Sequence, residues 1–366
     1  MHFSTDKKIL QKIIGQIVGV ISSRATLPIL ANILLETEGK DKLRAVGTDL
    51  ELGVSSTGEV RVEEEGAITA PAKKLHDILR ELPDGEVEFV VAKNHNITIK
   101  AGRSQFRLVG IPKDDFPKLP SLDVSGGFEI EQAVLKECFR LTSFSISHDQ
   151  TRYVLSGTLV SVKNNELRVI ATDGRRLAYV RKKVQIPKNT EFEAILPMKT
   201  TSELNRLLED VGTVKIVPLK NQVGFETSGA TLISRLIEGR FPNYEQVIPK
   251  EEKSKISLDR EALLTAMRRA ALLTSQEAQA IKLDVLEDKI LLSSRSPNVG
   301  ESQEELPAKL SGKEIAIGFN PQYLIDVLKN LDGDEVFLSL SDPDKSGIVR
   351  GASDEYLYVV MPMQLA

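Results

Sequence analysis

Three short segments of this chain carry nearly the same pattern at a constant spacing, and that periodicity constrains the fold more than any single motif. LRAVGTD (43–49), LRVIATD (167–173) and LLSSRS (291–296) align without gaps, with Leu43, Leu167 and Leu291 each 124 residues apart. The first two share Leu-Arg, an apolar stretch and a closing Thr-Asp; the third loses the Thr-Asp. Pro71, Pro197 and Pro321 follow about 30 residues downstream. Each is placed to open an amphipathic helix, where the missing proline N–H costs nothing. Earlier helical patterns start near Thr5, Glu131 and Asp259, and strand patterns come at EVEFVV (86–91), TVKIVP (213–218) and DEVFLSL (334–340). Phe116-Pro117, Phe241-Pro242 and, in the corresponding place, Met361-Pro362 close the copies. Landmarks in one order at one spacing predict three tandem α+β units, over 1–124, 125–250 and 251–366. Each has two helices on one side of antiparallel sheet.

The 366 residues exceed one ordinary core and suit two or three domains. No apolar run approaches the roughly 20 residues that cross a bilayer. Asp6, Lys7 and Lys8 interrupt the stretch where a secretory leader would be apolar. Cys138 is the only cysteine, so no intrachain disulfide forms. The expectation is a cytoplasmic protein with no membrane partner.

A net charge of −4 argues weakly against nucleic acid, but its distribution argues the other way. Six helical windows (5–20, 71–82, 131–144, 197–208, 259–273 and 321–331) together hold +5, leaving −9 elsewhere. Basic helices on one side of a threefold array suit a polyanion held through phosphates without base readout. Each lysine taken singly is equally well a solvated surface charge.

A linear array of three units leaves two unlike ends, and heterologous contact between them can close a ring. At one end Arg103, Gln105 and Arg107 alternate with Ser104, Phe106 and Leu108, as on an edge strand. The other offers Glu301, Glu304 and Glu305, with Leu272 and Leu273 on a helix. Basic edge against acidic edge is one reading; an edge guarded by its own charges is the other.

For catalysis the sequence offers nothing. His2, His76, His95 and His148 lack metal-ligand spacing to one another. There is no Gly-x-Ser-x-Gly, P-loop or Rossmann glycine run. Cys138, beside Leu135 and Phe139 on a helix, is expected in the core. No catalytic residue, metal or cofactor is expected.

The whole chain resembles the bacterial DNA polymerase III beta subunit family, the sliding clamps. RATLPIL (24–30), GTDLEL (47–52), ISHDQTRYVLSG (146–157), ATDGRRLA (171–178), EGRFPNYEQVIP (238–249), IGFNPQYLIDVL (317–328) and YVVMPMQL (358–365) carry the resemblance. It implies a head-to-tail homodimer: a six-domain ring with helices inside and sheet outside, closed around double-stranded DNA. It also implies a processivity role in DNA replication without catalysis. Partners would be a clamp loader, the polymerase III catalytic subunit, and other polymerases and repair proteins that insert a short peptide. A peptide-binding scaffold that ignores DNA is the alternative.

By resemblance the peptide pocket combines Leu155, Thr172, Gly174, Arg175, Arg176, Leu177, Pro242 and Val247 with Asn320, Tyr323, Val360, Met361, Pro362 and Met363. Flexible methionines around a proline suit an adaptable surface; the residues by themselves favour the other reading, that Tyr358 and Val360 finish an edge strand and the methionines fill core. Gln246 and Gln364 stand where the family is often basic, and Arg175 where it is often histidine. DNA contacts would fall to Arg24, Lys73, Lys74, His148, Gln150, Tyr153 and Lys199. The seam between copies would add Lys74 and Ile78 to the two edges.

Overall fold

The computed structural model describes residues 1–22, 27–120, 122, 126–149, 151–274, 280–296 and 299–365. Each repeat runs strand, helix, meander, helix, three strands. The first comprises β1 (His2–Asp6), α1 (Lys7–Val18), β2 (Asn32–Glu38), β3 (Lys42–Thr48), β4 (Leu52–Glu59), β5 (Arg61–Glu64), β6 (Ala67–Pro71), α2 (Ala72–Glu81), β7 (Glu86–Val91), β8 (Asn96–Ala101) and β9 (Ser104–Val109). The second comprises β10 (Phe128–Glu131), α3 (Gln132–Thr142), β11 (Gly157–Lys163), β12 (Glu166–Thr172), β13 (Arg176–Lys183), β14 (Phe192–Pro197), α4 (Met198–Leu207), β15 (Thr213–Pro218), β16 (Gln222–Glu226) and β17 (Ala230–Arg235). The third comprises β18 (Ser254–Asp259), α5 (Arg260–Ala271), β19 (Ile281–Val285), β20 (Lys289–Ser296), β21 (Gly300–Pro307), β22 (Lys309–Gly312), β23 (Ile315–Phe319), α6 (Pro321–Asn330), β24 (Glu335–Leu340), β25 (Gly347–Arg350) and β26 (Tyr356–Val360).

The helices begin where side chains can satisfy their free N–H groups. Asp6 accepts from Lys8 N, Asp259 from Ala262 N and Asn320 from Gln322 N. Pro321 occupies the first helical position as expected, but Pro71 and Pro197 do not. Each is the last residue of a strand, paired with Asn32 and Gly157 respectively, and the helix starts one residue later. Proline without an N–H ends the ladder there rather than opening the helix. The first residue of each leading helix reaches the end of the second helix in its repeat. Lys7 donates to the Arg80 and Leu82 carbonyls, Gln132 accepts from Glu209 N, and Arg260 donates to the Leu328 and Gly333 carbonyls.

The chain packs as two compact units, Met1–Lys136 with Lys199–Leu236, and Glu137–Met198 with Ile237–Ala366. The first holds a five-stranded sheet, β5-β1-β7-β8-β9, and an eight-stranded sheet, β10-β15-β16-β17-β4-β3-β2-β6. The second holds a nine-stranded sheet, β14-β11-β12-β13-β26-β25-β24-β18-β22, and a four-stranded sheet, β21-β20-β19-β23. The long sheets cross from repeat to repeat, because β17 pairs antiparallel with β4 and β26 with β13. Main-chain hydrogen bonding therefore joins neighbouring repeats. No helix among the described residues is long and apolar enough to cross a membrane.

Three details of the repeat differ from the sequence reading. Leu43 and Leu167 are buried, whereas Leu291 is half-buried between buried Ile290 and Leu292. The gapless alignment is thus one residue out of phase in the third copy, and a one-residue slip exchanges the faces of a strand. Met361-Pro362 directly follows β26, whereas Phe116 and Phe241 lie several residues beyond β9 and β17. Isolated bridges at Thr69–Ile111, Ile195–Ile237 and Gly318–Met363 index the three copies and make Met361 the counterpart of Val109 and Arg235. Finally, Tyr358 and Val360 do not finish an edge. Strand β26 lies between β13 and β25 and both side chains are buried.

Candidate functional site

Strands β12 and β13 are joined by a turn that their own side chains hold. Asp173 Oδ1 accepts from Arg175 N and Arg176 N at 2.9 and 3.0 Å. Thr172 Oγ1 accepts from Gly174 N at 3.0 Å and donates to Arg176 O at 2.6 Å. Gly174 sits at φ +85°, a left-handed conformation that glycine adopts without strain. The same four bonds recur at Thr48, Asp49 and Leu52 in the first repeat, where Leu50 takes the left-handed position.

From this turn the Arg176 side chain runs inward. Its guanidinium donates to Asp173 at 3.0 Å, to Asp326 on α6 at 2.7 Å and to the Phe144 carbonyl at 2.7 Å. It lies 4.6 Å from the centre of the Tyr323 ring. Burial works against its charge, but Tyr358, Asp326 and Asp173 outweigh that and hold the proton more tightly than in a free arginine. Burial pushes the Tyr358 hydroxyl up, and it donates to the Tyr323 carbonyl at 2.9 Å. Arg176 therefore fixes the second repeat against the start of α6 in the third.

Beside this anchor lies an apolar cavity of about 310 Å³. It is lined by Leu155, Thr172, Gly174, Arg175, Arg176, Leu177, Pro242, Val247 and Met361 from the expected set. Its other lining residues, Phe241, Asn243, Tyr244, Ser346 and Val359, escaped the sequence reading. Beneath it Leu159, Ile170, Leu177, Ile195, Ile237, Phe241 and Val359 form a buried cluster. Val247 and Met361 are 54% and 49% exposed, apolar surface offered to solvent at the rim.

Five expected residues do not line this cavity. Val360 is fully buried. Asn320 caps α6, Met363 N donates to the Gly318 carbonyl, and Pro362, immediately before Met363, is half-buried. Tyr323 lines a second cavity of about 370 Å³ with His148, Asp149, Arg152 and Asp173, and Arg175 and Arg176 belong to both. Arg152, also missed, donates to the Asp173 carbonyl at 2.9 Å and passes over Gly174, where a Cβ would lie 2.6 Å from its Nη1. The aromatic pair around Pro242 was a usable signal for Phe241 and Tyr244. Nothing local marks Ser346, which comes from the β24–β25 loop.

The other expected residues are scattered among strands and helices. In the first unit Lys73 and Lys74 are exposed on α2, and neither has an ion pair among the described residues. Ile78 is half-buried on the same helix. Lys199 differs: its ammonium contacts the Asp49 carboxylate and the Val20 carbonyl. Lys7, part of the basic helix count, is buried and cannot face a polyanion. In the second unit His148 is exposed and Tyr153 is 57% exposed. Arg24 and Gln150 lie outside the described residues.

Both expected seams are sheet edges. β9 ends the five-stranded sheet with Arg107 exposed, Phe106 39% exposed and Leu108 half-buried; Arg103 precedes it, exposed. β21 ends the four-stranded sheet with Glu301 and Glu305 exposed; Glu305 pairs with Lys289 at 3.2 Å, and Glu304 is tied to Arg269 by two bonds of 2.9 and 2.6 Å. Leu272 is 78% exposed and Leu273 half-buried at the end of α5.

Comparison with known proteins identifies this arrangement. Residues 1–120, 129–243 and 245–364 match the N-terminal, central and C-terminal domains of the DNA polymerase III beta subunit. The chain belongs to that family. Curated relatives called beta sliding clamp include one from Pseudomonas putida, 37% identical, and one from Escherichia coli K12, 35% identical, each covering 100% of both chains. A sliding clamp from Pseudomonas aeruginosa bound to griselimycin superposes with a TM-score of 0.92 at 37% identity, covering 100% of both chains. The Bacillus subtilis DNA polymerase sliding clamp reaches 0.92 at 29% identity over the same coverage. The fold is the three-domain sliding clamp fold, and the function is that of a DNA sliding clamp; the scaffold that ignores DNA is not favoured. In this clamp Gln246 and Gln364 are exposed.

Proposed function

We propose that two copies of this clamp join head to tail and close a six-domain ring around duplex DNA, helices inward. The observation that carries this reading is a repeated junction. Ser234 of β17 lies opposite Leu52 of β4, and Val360 of β26 lies opposite Arg176 of β13. In each case the last strand of one repeat pairs with the third meander strand of the repeat before it. The corresponding strands left over are β9 and β21, both edges.

The register carries over. Leu108, Ser234 and Val360 each stand three residues before the isolated bridge that indexes their repeat. Leu52, Arg176 and Gly300 each stand seven before the residue that ends the hairpin ladder, at Glu59, Lys183 and Pro307. Leu108 of one copy then faces Gly300 of the other, which sets Phe106 against Ser302, Arg107 against Glu301 and Arg103 against Glu305. Opposite charges fall directly across the seam, where cross-strand pairs contribute most. Lys74, Ile78, Leu272 and Leu273 would flank it.

The apolar cavity is the peptide site through which polymerase III, other polymerases, repair proteins and the clamp loader engage. Its partners carry the chemistry, and the clamp itself is an accessory subunit acting in the cytoplasm. Among the described residues, Lys73, Lys74, His148 and Tyr153 are exposed side chains that would meet DNA without sequence readout.

A cysteine pair tests the junction. Phe106→Cys with Ser302→Cys should give a covalent dimer under oxidation, and the unmodified chain should sediment as a dimer at micromolar concentration. A strict monomer with no cross-link would contradict the proposal.

A further inference from the structure

Beside the apolar cavity lies a polar one of about 410 Å³, and Tyr244 lines both. The two are continuous along the strands. Residues alternate across a sheet, so positions two apart share a face. Leu159 and Ile195, in the apolar floor, are followed on that face by Ser161 and Lys163 on β11 and preceded by Glu193 on β14. Ile170 is likewise preceded by Arg168 and Glu166 on β12. Ser161 lies opposite both Arg168 and Glu193, so these three form one cross-strand row. The apolar floor thus becomes charged two residues further along each strand.

The cations of this polar cavity are already paired. Arg168 is 2.6 Å from Glu166 and 3.4 Å from Glu245, and Lys163 is 3.0 Å from Glu191. Glu193 is exposed and is the one charged lining residue with no ion pair among the described residues. Tyr244, its ring 5.8 Å from that of Tyr179, offers an aromatic surface at the boundary.

We propose that this cavity is an accessory subsite for a lysine or arginine flanking the apolar motif of a bound partner peptide. The motif fills the apolar cavity, the chain passes Tyr244, and the cationic side chain meets Glu193 with its stem against the tyrosine. The inference rests on the peptide-site reading given above.

The test uses fluorescein-labelled synthetic peptides with a central Leu-Leu-Phe in a Gly-Ser background. Alanine, lysine or glutamate is placed in turn at each of the four positions on either side, and binding to the full chain is followed by anisotropy at low salt. Lysine at one flanking position should tighten binding about 3- to 10-fold over alanine, and glutamate there should weaken it. With Glu193→Gln, lysine and alanine peptides should bind alike. Equal binding of all three at every position, or a lysine preference that survives Glu193→Gln, would overturn the subsite while leaving the peptide site standing. Failure of every peptide, including the alanine forms, would overturn the peptide-site reading and this inference with it.

Discussion

The Arg176 guanidinium and the Asp326 carboxylate meet at 2.7 Å, joining β13 to α6 across the boundary between the second and third repeats. Their side chains are only 9% and 20% exposed. Removing Asp326 leaves the largely buried Arg176 with Asp173 as its remaining carboxylate partner, so the loss is that of a charged hydrogen bond, about 1.5–3 kcal/mol. Asp326→Ala should therefore lower the thermal midpoint of the second unit and weaken peptide binding, since Arg176 lines the pocket. Differential scanning calorimetry with peptide titration reads both effects.

Gly53 is covered by the chain's own leucine at a position that lines the apolar cavity in the second repeat. It stands where the second repeat has Leu177, and the Leu119 side chain lies on it: a Cβ there would come within 2.3 Å of Leu119 Cδ2. The chain's own leucine occupies the notch. Gly53→Ala should cost about 1–3 kcal/mol through overpacking. Combined with Leu119→Ala, which empties the notch, the loss should be clearly less than additive in denaturant unfolding.

Lys73 and Lys199 are both basic helix residues in the first unit, yet only Lys73 is free among the described residues. Replacing Lys73 and Lys74 by alanine should reduce the salt dependence of DNA binding by about 0.9 log units per log unit of salt for each phosphate no longer neutralised. Lys199→Ala should instead cost about 1 kcal/mol of stability and leave the salt slope intact, because that charge is spent on Asp49 and Val20.

Acid should destabilise the protein through carboxylates held below their ordinary range. A hydrogen bond from Lys100 lowers the Glu88 carboxyl against the opposing effect of burial, and His2 adds to it. Burial raises Glu252, but bonds from Arg350 and Lys255 outweigh it. A depressed folded value means the stabilisation is complete above the unfolded value of about 4.3 and is lost as pH falls below it. Thermal midpoints should hold above about pH 5 and drop through pH 4, less steeply in Arg350→Ala.

Cys138 is buried, and burial raises its thiol far above the ordinary value. Ellman's reagent should find no reactive thiol in the native protein and one after denaturation.

The threefold plan was legible because helix and strand periods repeat with the landmarks, and nine pocket residues followed from the family resemblance. What the sequence hid were pairings between repeats. Nothing in RLAYVRKK announces that its partner is YLYVV some 180 residues later, so β26 looked like an edge. The phase slip at Leu291 was invisible for a related reason: Ile290, Leu291 and Leu292 are all apolar, and only burial tells which two point inward. Charge counting misjudged Lys7 because composition does not reveal which cations are buried against carbonyls.

A closed ring holds DNA by topology rather than by affinity. The direct measurement is retention of the protein, loaded onto a nicked circular plasmid with a clamp loader and ATP, before and after one restriction cut in high salt. Topological linkage predicts stable retention on the circle and rapid loss from the linear form; equal retention on both would contradict it.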